Sequence, residues 1–263
     1  MGNNPVSAIR IENLSTAYGR HGEWVVTGSF SRELPRGTFV CLIGENGAGK
    51  STLLRTLAGF QAPASGRVSL MGRDISTLGR RQLALTVAVV LTAGRRAGAR
   101  MSVEELVALG RIPHTGFFGR LSAHDRSCVE AAMRTAGIAE QMWARRIDTL
   151  SDGERQKAMI AKALAQEAPI VLLDEPTAFL DFPGKAGVFR LMRSMAAEGG
   201  HTVVAATHDI GTAMHMANEL WVMRRGMAPI CGAPRELAAR GELDFLFDRA
   251  GADFDRETLT YTL

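Results

Sequence analysis

The sequence has only three cysteines, Cys41, Cys128 and Cys231, and they are widely spaced. An odd, dispersed set flanked by apolar residues fits reduced thiols better than a disulfide framework or a zinc site. Long apolar runs are missing as well: although 46% of the chain is hydrophobic, no stretch approaches the roughly 18–20 residues that a bilayer span requires. Residues 1–8, MGNNPVSA, lack the basic start and apolar centre of a signal peptide, and Val6 breaks the myristoylation pattern. The expectation is a protein that is neither exported nor anchored. Charge of one sign is also scarce. Lys and Arg number 31 against 27 Asp and Glu, a formal excess of +4 spread along the chain, too mild to indicate nucleic acid. Internal repeats and low-complexity segments are absent, so each motif occurs once.

What is present is alternation. Short β-branched runs recur at RIENLS near residue 10, EWVVTGSF from Glu23, TFVCLI from Thr38, RVSLM from Arg67, TVAVVL from Thr86, IVLLD from Ile170, TVVAAT from Thr202 and ELWVM from Glu219. Each is bounded by Gly, Pro or charge, as strands are. Helical periods follow several of them, over residues 51–58, 184–197 and 209–218. This pattern predicts an α/β fold with a largely parallel, doubly covered sheet, the early strands forming an antiparallel β flank. Between residues 94 and 167 the β signal disappears and helix-period segments take over, at 103–109, 123–136 and 154–166. The expected organisation is a single domain over residues 1–263: an α/β nucleotide-binding core from 1–92 and 168–263, and an inserted α-helical subdomain from 93–167. Residues 233–263 read as helical, then acidic, with no role apparent.

Residues 44–52, GENGAGKST, lie between TFVCLI and an apolar helical period. Gly44, Gly49, Lys50 and Ser51 satisfy the P-loop pattern in the strand-to-helix context it needs. The glycines let successive backbone N–H groups turn inward, the following helix adds its positive N-terminus, and Lys50 supplies a point charge for β- and γ-phosphates. Ser51 is then the Mg²⁺ ligand. A second signal is IVLLDEP, where an apolar strand ends in Asp174 and Glu175. In a P-loop fold the first acid supports the metal shell and the second polarises the attacking water. Asp174 is accordingly expected at the metal and Glu175 as the base; standing alone, the pair reads equally well as capping acids in a loop.

LSDGERQKAMIAKAL, residues 150–164, stands directly upstream of IVLLDEP, and that order resembles the ATP-binding subunits of ABC transporters over nearly the whole chain. The resemblance implies a RecA-like P-loop NTPase that binds and hydrolyses ATP with Mg²⁺. It places Asn46, Gly47, Lys50, Ser51 and Thr52 in the P-loop, Ser151 and Gly153 in the signature, Asp181 in the D-loop, His208 as the switch histidine at the γ-phosphate, and Tyr18 on the adenine ring. Trp24 is close enough in sequence to compete with Tyr18. Ser151 with Glu154 three residues on is also a capping box, a reading compatible with the signature. In this family the signature faces the nucleotide of the other subunit. With one P-loop and one signature, the chain is expected to pair head to tail with a second copy of itself around two ATPs.

Two departures from the family pattern stand out. Thr92 occupies the place where a glutamine usually touches Mg²⁺ and couples the lobe to the membrane subunit. In the signature, Asp152 and Glu154 replace a glycine and a glutamine, which demands that both carboxylates turn away from the anion site, Glu154 toward its own helix start. Together with residues 105–126, ELVALGRIPHTGFFGRLSAHDR, these features resemble the ATPases of bacterial importers for iron siderophores, haem and cobalamin. That resemblance implies a polytopic permease as partner, docking near residues 92–101, an extracytoplasmic substrate-binding protein behind it, no nucleic acid, and a peripheral location on the cytoplasmic face of the inner membrane. The PHTGFFGR loop also reads as a surface turn, and Arg95, Arg96 and Arg100 as a solvated loop. The rival readings are a soluble ABC-type ATPase acting on ribosomes or DNA, which generally carries two fused cassettes or a long coiled-coil insertion, and a P-loop kinase, which has no use for LSDGE.

Overall fold

A computed structural model describes residues 7–18, 24–91, 100–116, 119–248 and 251–262. The chain runs β1 (Ile9–Tyr18), β2 (Trp24–Leu34), β3 (Phe39–Gly44), α1 (Lys50–Leu57), β4 (Ser65–Leu70), β5 (Arg73–Asp74), α2 (Arg80–Thr86) and β6 (Val87–Val90). It continues through α3 (Val103–Ala108), α4 (Ala123–Thr135) and α5 (Asp152–Ala165), then β7 (Ile170–Asp174), α6 (Phe182–Ala197), β8 (Thr202–Ala206), α7 (Ile210–Met216) and β9 (Glu219–Met223). The last elements are β10 (Ile230–Gly232), α8 (Pro234–Ala239), α9 (Phe245–Asp248), β11 (Asp253–Asp255) and β12 (Thr260–Thr262).

The six-stranded sheet has the order β10-β9-β3-β8-β7-β6, parallel except for β10 at its edge. Every residue of β3, β8 and β9 is buried, as both-face coverage of a parallel sheet demands. Side chains alternate along a strand, so β3 feeds two cores. Phe39, Cys41 and Ile43 pack with Phe189, Met192 and Ala213 on one face. Val40 and Leu42 pack with Leu53, Leu57 and Trp221 on the other. That second core is closed by the four-stranded antiparallel sheet β2-β1-β4-β5, whose Ile9, Ile11 and Leu14 point into it. The α/β class and the antiparallel flank expected from the sequence are both present.

Helix ends follow capping chemistry. The period predicted from residue 184 begins two residues earlier as α6, because Asp181 accepts the Gly184 amide at 2.9 Å and Pro183 suits the first turn. Asp209 caps α7 in the same way, accepting from Thr212 at 3.1 Å. Between β6 and β7 all described elements are helical, with the exception of one isolated bridge between Ser102 and Arg146. Their own core joins Val103, Val107, Met133, Ile147 and Ala158. Gly110 sits where the chain after α3 crosses α5: a Cβ there would lie 2.2 Å from the Lys162 carbonyl oxygen. Gly110→Ala is therefore expected to destabilise the fold by about 1–3 kcal/mol, read as a lowered urea midpoint; an unchanged midpoint contradicts the close approach.

The C-terminal stretch, unreadable in sequence, belongs to the core. Leu237, Leu243 and Phe247 are buried in the cluster beneath α6, and Phe247 stacks on Phe254 of β11 at 4.3 Å and meets Tyr261 of β12 at 5.1 Å.

Candidate functional site

The loop after β3 requires backbone that only glycine adopts freely. Gly44, Gly47 and Gly49 have φ of 143°, 78° and 99°, and a Cβ on Gly44 would approach the Met223 carbonyl oxygen to 2.3 Å. Helix α1 starts at Lys50, immediately after Gly49. The Lys50 ammonium donates to the carbonyl oxygens of Gly44 at 2.8 Å and Glu45 at 3.1 Å, folding back over the loop. Burial pulls its pKa down, opposed by the carboxylates of Glu175 and Asp174. Ser51 Oγ donates to Asp174 Oδ1 at 2.9 Å, bringing the first turn of α1 against the end of β7.

Glu175 follows β7 with φ of 51°, a conformation costly for a side-chain-bearing residue. Its amide is held by the Ala206 carbonyl at the end of β8, at 3.0 Å. This pairing of adjacent parallel strands sets Glu175 Oε1 3.0 Å from His208 Nε2. Burial pushes the Glu175 carboxyl above the ordinary glutamate value, reinforced by Asp174 and opposed by Lys50. Burial, with Lys50 nearby, lowers the His208 pKa, favouring the neutral ring. A half-buried carboxylate with raised proton affinity is suited to accept a proton.

These groups face a cleft of about 530 Å³ lined by Tyr18, Trp24, Asn46, Gly47, Gly49, Lys50, Ser51, Thr52, Glu175 and His208, with Val26 and Arg225. Tyr18 and Trp24 are opposite each other in the β1–β2 register and are 62% and 59% exposed, so both aromatic side chains are accessible at the rim. Val26 and Arg225 were not foreseen. The usable signal was that Arg225 stands just beyond β9, since ligands in open parallel sheets collect at the carboxyl ends of strands.

Ser151, Gly153 and Asp181 do not line this cleft. Ser151 opens α5 as a complete capping box: its Oγ accepts from the Glu154 amide at 3.3 Å, while Glu154 Oε2 accepts from the Ser151 amide at 2.8 Å. The Ser151 hydroxyl also donates to Glu154 Oε2 at 3.0 Å. Asp152 pairs with Arg155 at 2.9 Å. Both unusual acids of the signature are thus satisfied within their own helix start. Thr92 lies outside the described residues, as do Arg95 and Arg96 and the two phenylalanines of PHTGFFGR.

Hydroxyl and carboxylate oxygens are the donor set that Mg²⁺ selects, and Ser51 Oγ and Asp174 Oδ1 already converge, so these residues fit that ion. No helix among the described residues is long and apolar enough to cross a membrane.

The ABC transporter family profile matches residues 28–178, which include the P-loop, the signature and the Asp174–Glu175 pair. The ferric enterobactin transport ATP-binding protein FepC of Escherichia coli is 38% identical over 232 residues, covering 88% of this chain and 84% of that protein. The cobalamin import ATP-binding protein BtuD of Halobacterium salinarum is 38% identical over 212 residues, covering 81% of this chain and 52% of that protein. Among solved structures, the dimer of the bacterial ABC transporter cassette MJ0796 superposes with a TM-score of 0.73 at 25% identity, covering 86% of this chain and 98% of that one. With its P-loop cleft, its capped signature helix and these relatives, the chain belongs to the ABC transporter family, as one of its ATP-binding, ATP-hydrolysing cassettes.

Proposed function

We propose that this chain is the energy-coupling ATPase of an importer for metal chelates, the class to which siderophore complexes, haem and cobalamin belong. The cargo reading rests on the relatives named for ferric enterobactin and cobalamin. The observation that carries the mechanism is a division of labour: Lys50, Ser51, Glu175 and His208 share one cleft, whereas Ser151, Gly153 and Asp181 lie outside it. A second copy, arranged head to tail, supplies its capped α5 N-terminus to the γ-phosphate across the interface, as anion binding at a helix start favours. That a solved cassette similar to this chain is a dimer supports the pairing of two copies.

In that assembly Tyr18 stacks on adenine, with Trp24 opposite it. Asn46, Gly47, Gly49 and Thr52 cradle phosphates through the loop, and Lys50 turns from the loop carbonyls to the β- and γ-phosphates. Ser51 and Asp174, with Thr92 the sequence's third candidate, hold Mg²⁺, which neutralises phosphate charge when bound. Glu175 accepts a proton from the water as its oxygen attacks the γ-phosphorus. The bridging Pβ–O–Pγ bond breaks at phosphorus, and ADP and phosphate leave. His208 keeps Glu175 in place and contacts the γ-phosphate. Asp181 follows from the partner's side of the interface.

The membrane partners are a polytopic permease docking on the helical layer and, through it, an extracytoplasmic substrate-binding protein. The chain then sits peripherally on the cytoplasmic face of the inner membrane. The runner-up, a soluble ABC-type ATPase acting on ribosomes or DNA, is less favoured. No helix among the described residues exceeds the 16 residues of α6, so a coiled-coil insertion finds no support. Co-purification with the permease encoded beside it decides the matter: a stable complex whose ATPase rate responds to the permease is expected. An ATPase indifferent to every such membrane protein overturns the importer reading while leaving the ATPase intact.

A further inference from the structure

Outside the nucleotide cleft, three different metal-ligating side chains converge on the helical layer. Helix α4 places His124 and Cys128 four residues apart, on one face, with Cys128 Sγ 3.6 Å from His124 Nε2. Glu167, in the connection between α5 and β7, adopts a φ of 52° and sets Oε1 3.6 Å from the same sulfur. The three ligand atoms lie within 4.8 Å of one another. A tetrahedral ion with metal–ligand bonds of about 2.0–2.3 Å spaces its ligand atoms about 3.3–3.6 Å apart. The two sulfur distances already match that spacing.

The glutamate is held by a residue that the ATPase chemistry does not use. Arg111 is buried and donates from Nη1 to Glu167 Oε2 at 2.6 Å and to the Ala165 carbonyl at 2.7 Å, and from Nε to Asp125 Oδ1 at 2.9 Å. One carboxylate oxygen is thereby occupied and the other is turned to the cysteine. Such outer partners orient first ligands in metal sites. Asp125 and Glu167 together offset the guanidinium charge, so a cation beside Glu167 does not face an uncompensated arginine. A cleft of about 450 Å³, lined by Cys128, Glu167 and His201 among others, opens the sulfur to solvent.

We propose that His124, Cys128 and Glu167 bind a zinc-class divalent transition-metal ion, with water completing the fourth position. Thiolate, imidazole and carboxylate together suit Zn²⁺ and Co²⁺ and disfavour Mg²⁺ and Ca²⁺, which select oxygen alone. On binding, the S–H bond of Cys128 breaks, the sulfur–metal bond forms and the proton leaves to solvent. The dispersed cysteines argued against zinc in the sequence because only one of them takes part; the glutamate comes from 39 residues downstream.

The test titrates the untagged, full-length chain with Co²⁺. One equivalent is expected to produce a thiolate-to-cobalt charge-transfer band, bleached by Zn²⁺. The oxygen ligands of the nucleotide site cannot give that band. Cys128→Ser should abolish it, and His124→Ala should weaken Zn²⁺ affinity by about tenfold or more. His124 is exposed, so His124→Ala should fold normally, and unchanged ATP binding checks this. No charge-transfer band in the wild-type chain, a band surviving Cys128→Ser, or equal Zn²⁺ affinity in His124→Ala overturns the proposal.

Discussion

Glu175→Gln is expected to bind ATP as the wild type does and to hydrolyse it about 10²–10⁴ times more slowly, the usual contribution of a general base. The substitution keeps the shape of the side chain and its reach to His208 Nε2, now 3.0 Å from Oε1, but removes the proton acceptor. Lys50, which feels Glu175 and Asp174 as opposing charges, retains one of them, so phosphate binding persists. With two nucleotides bound and no turnover, the dimer should accumulate, visible as a doubled mass in size-exclusion chromatography with ATP present. The pH profile provides a second readout. Burial holds the Glu175 carboxyl above the ordinary glutamate value, and the base works only when deprotonated. Turnover in the wild type should therefore begin to fall at a higher pH than an ordinary glutamate base would give, and that acid limb should vanish from the residual activity of Glu175→Gln. Normal turnover in the variant removes Glu175 as the base.

Legibility in the sequence tracked how local the determining physics is. Strands β3, β7 and β8 were readable because a strand buried on both faces shows a continuous apolar run, and the P-loop because its glycines encode one backbone path. The paired acids Asp174 and Glu175 were readable because charge at the end of such a run is anomalous. β10, β11 and β12 were not: each is three residues long and becomes a strand only by pairing with a neighbour. The burial of Phe247 against Phe254 likewise depends on a hairpin formed later in the chain. In the cleft, Arg225 escaped notice because it is brought there by β9, the neighbour of β3 in the sheet and distant in sequence. The signature acids show the opposite. Glu154 was expected to turn back on its own helix start, and a capping box of four residues, Ser151 to Glu154, is enough to make it do so.

Lys50→Ala is expected to lose nucleotide affinity by about 10²–10⁴-fold. Hydrogen bonds to charged groups are worth about 1.5–3 kcal/mol each, and an ammonium shared between β- and γ-phosphates makes two, hence about 3–6 kcal/mol at tenfold per 1.4 kcal/mol. The structure shows where this side chain rests before it meets phosphate: on the carbonyl oxygens of Gly44 and Glu45, at 2.8 and 3.1 Å. Those acceptors are part of the loop itself, and Lys50, although buried, lines the cleft, so water entering the space that the side chain vacates can replace the lost hydrogen bonds. The thermal midpoint without nucleotide should consequently move little, whereas the rise in midpoint that ATP produces in the wild type, which follows RT ln(1 + [L]/Kd), should disappear at the same ATP concentration. A large drop in the nucleotide-free midpoint would instead make Lys50 a structural residue of the loop. Unchanged ATP affinity, measured by calorimetry, would remove residues 44–52 as the phosphate cradle and with them the basis for placing Ser51 and Asp174 at the metal.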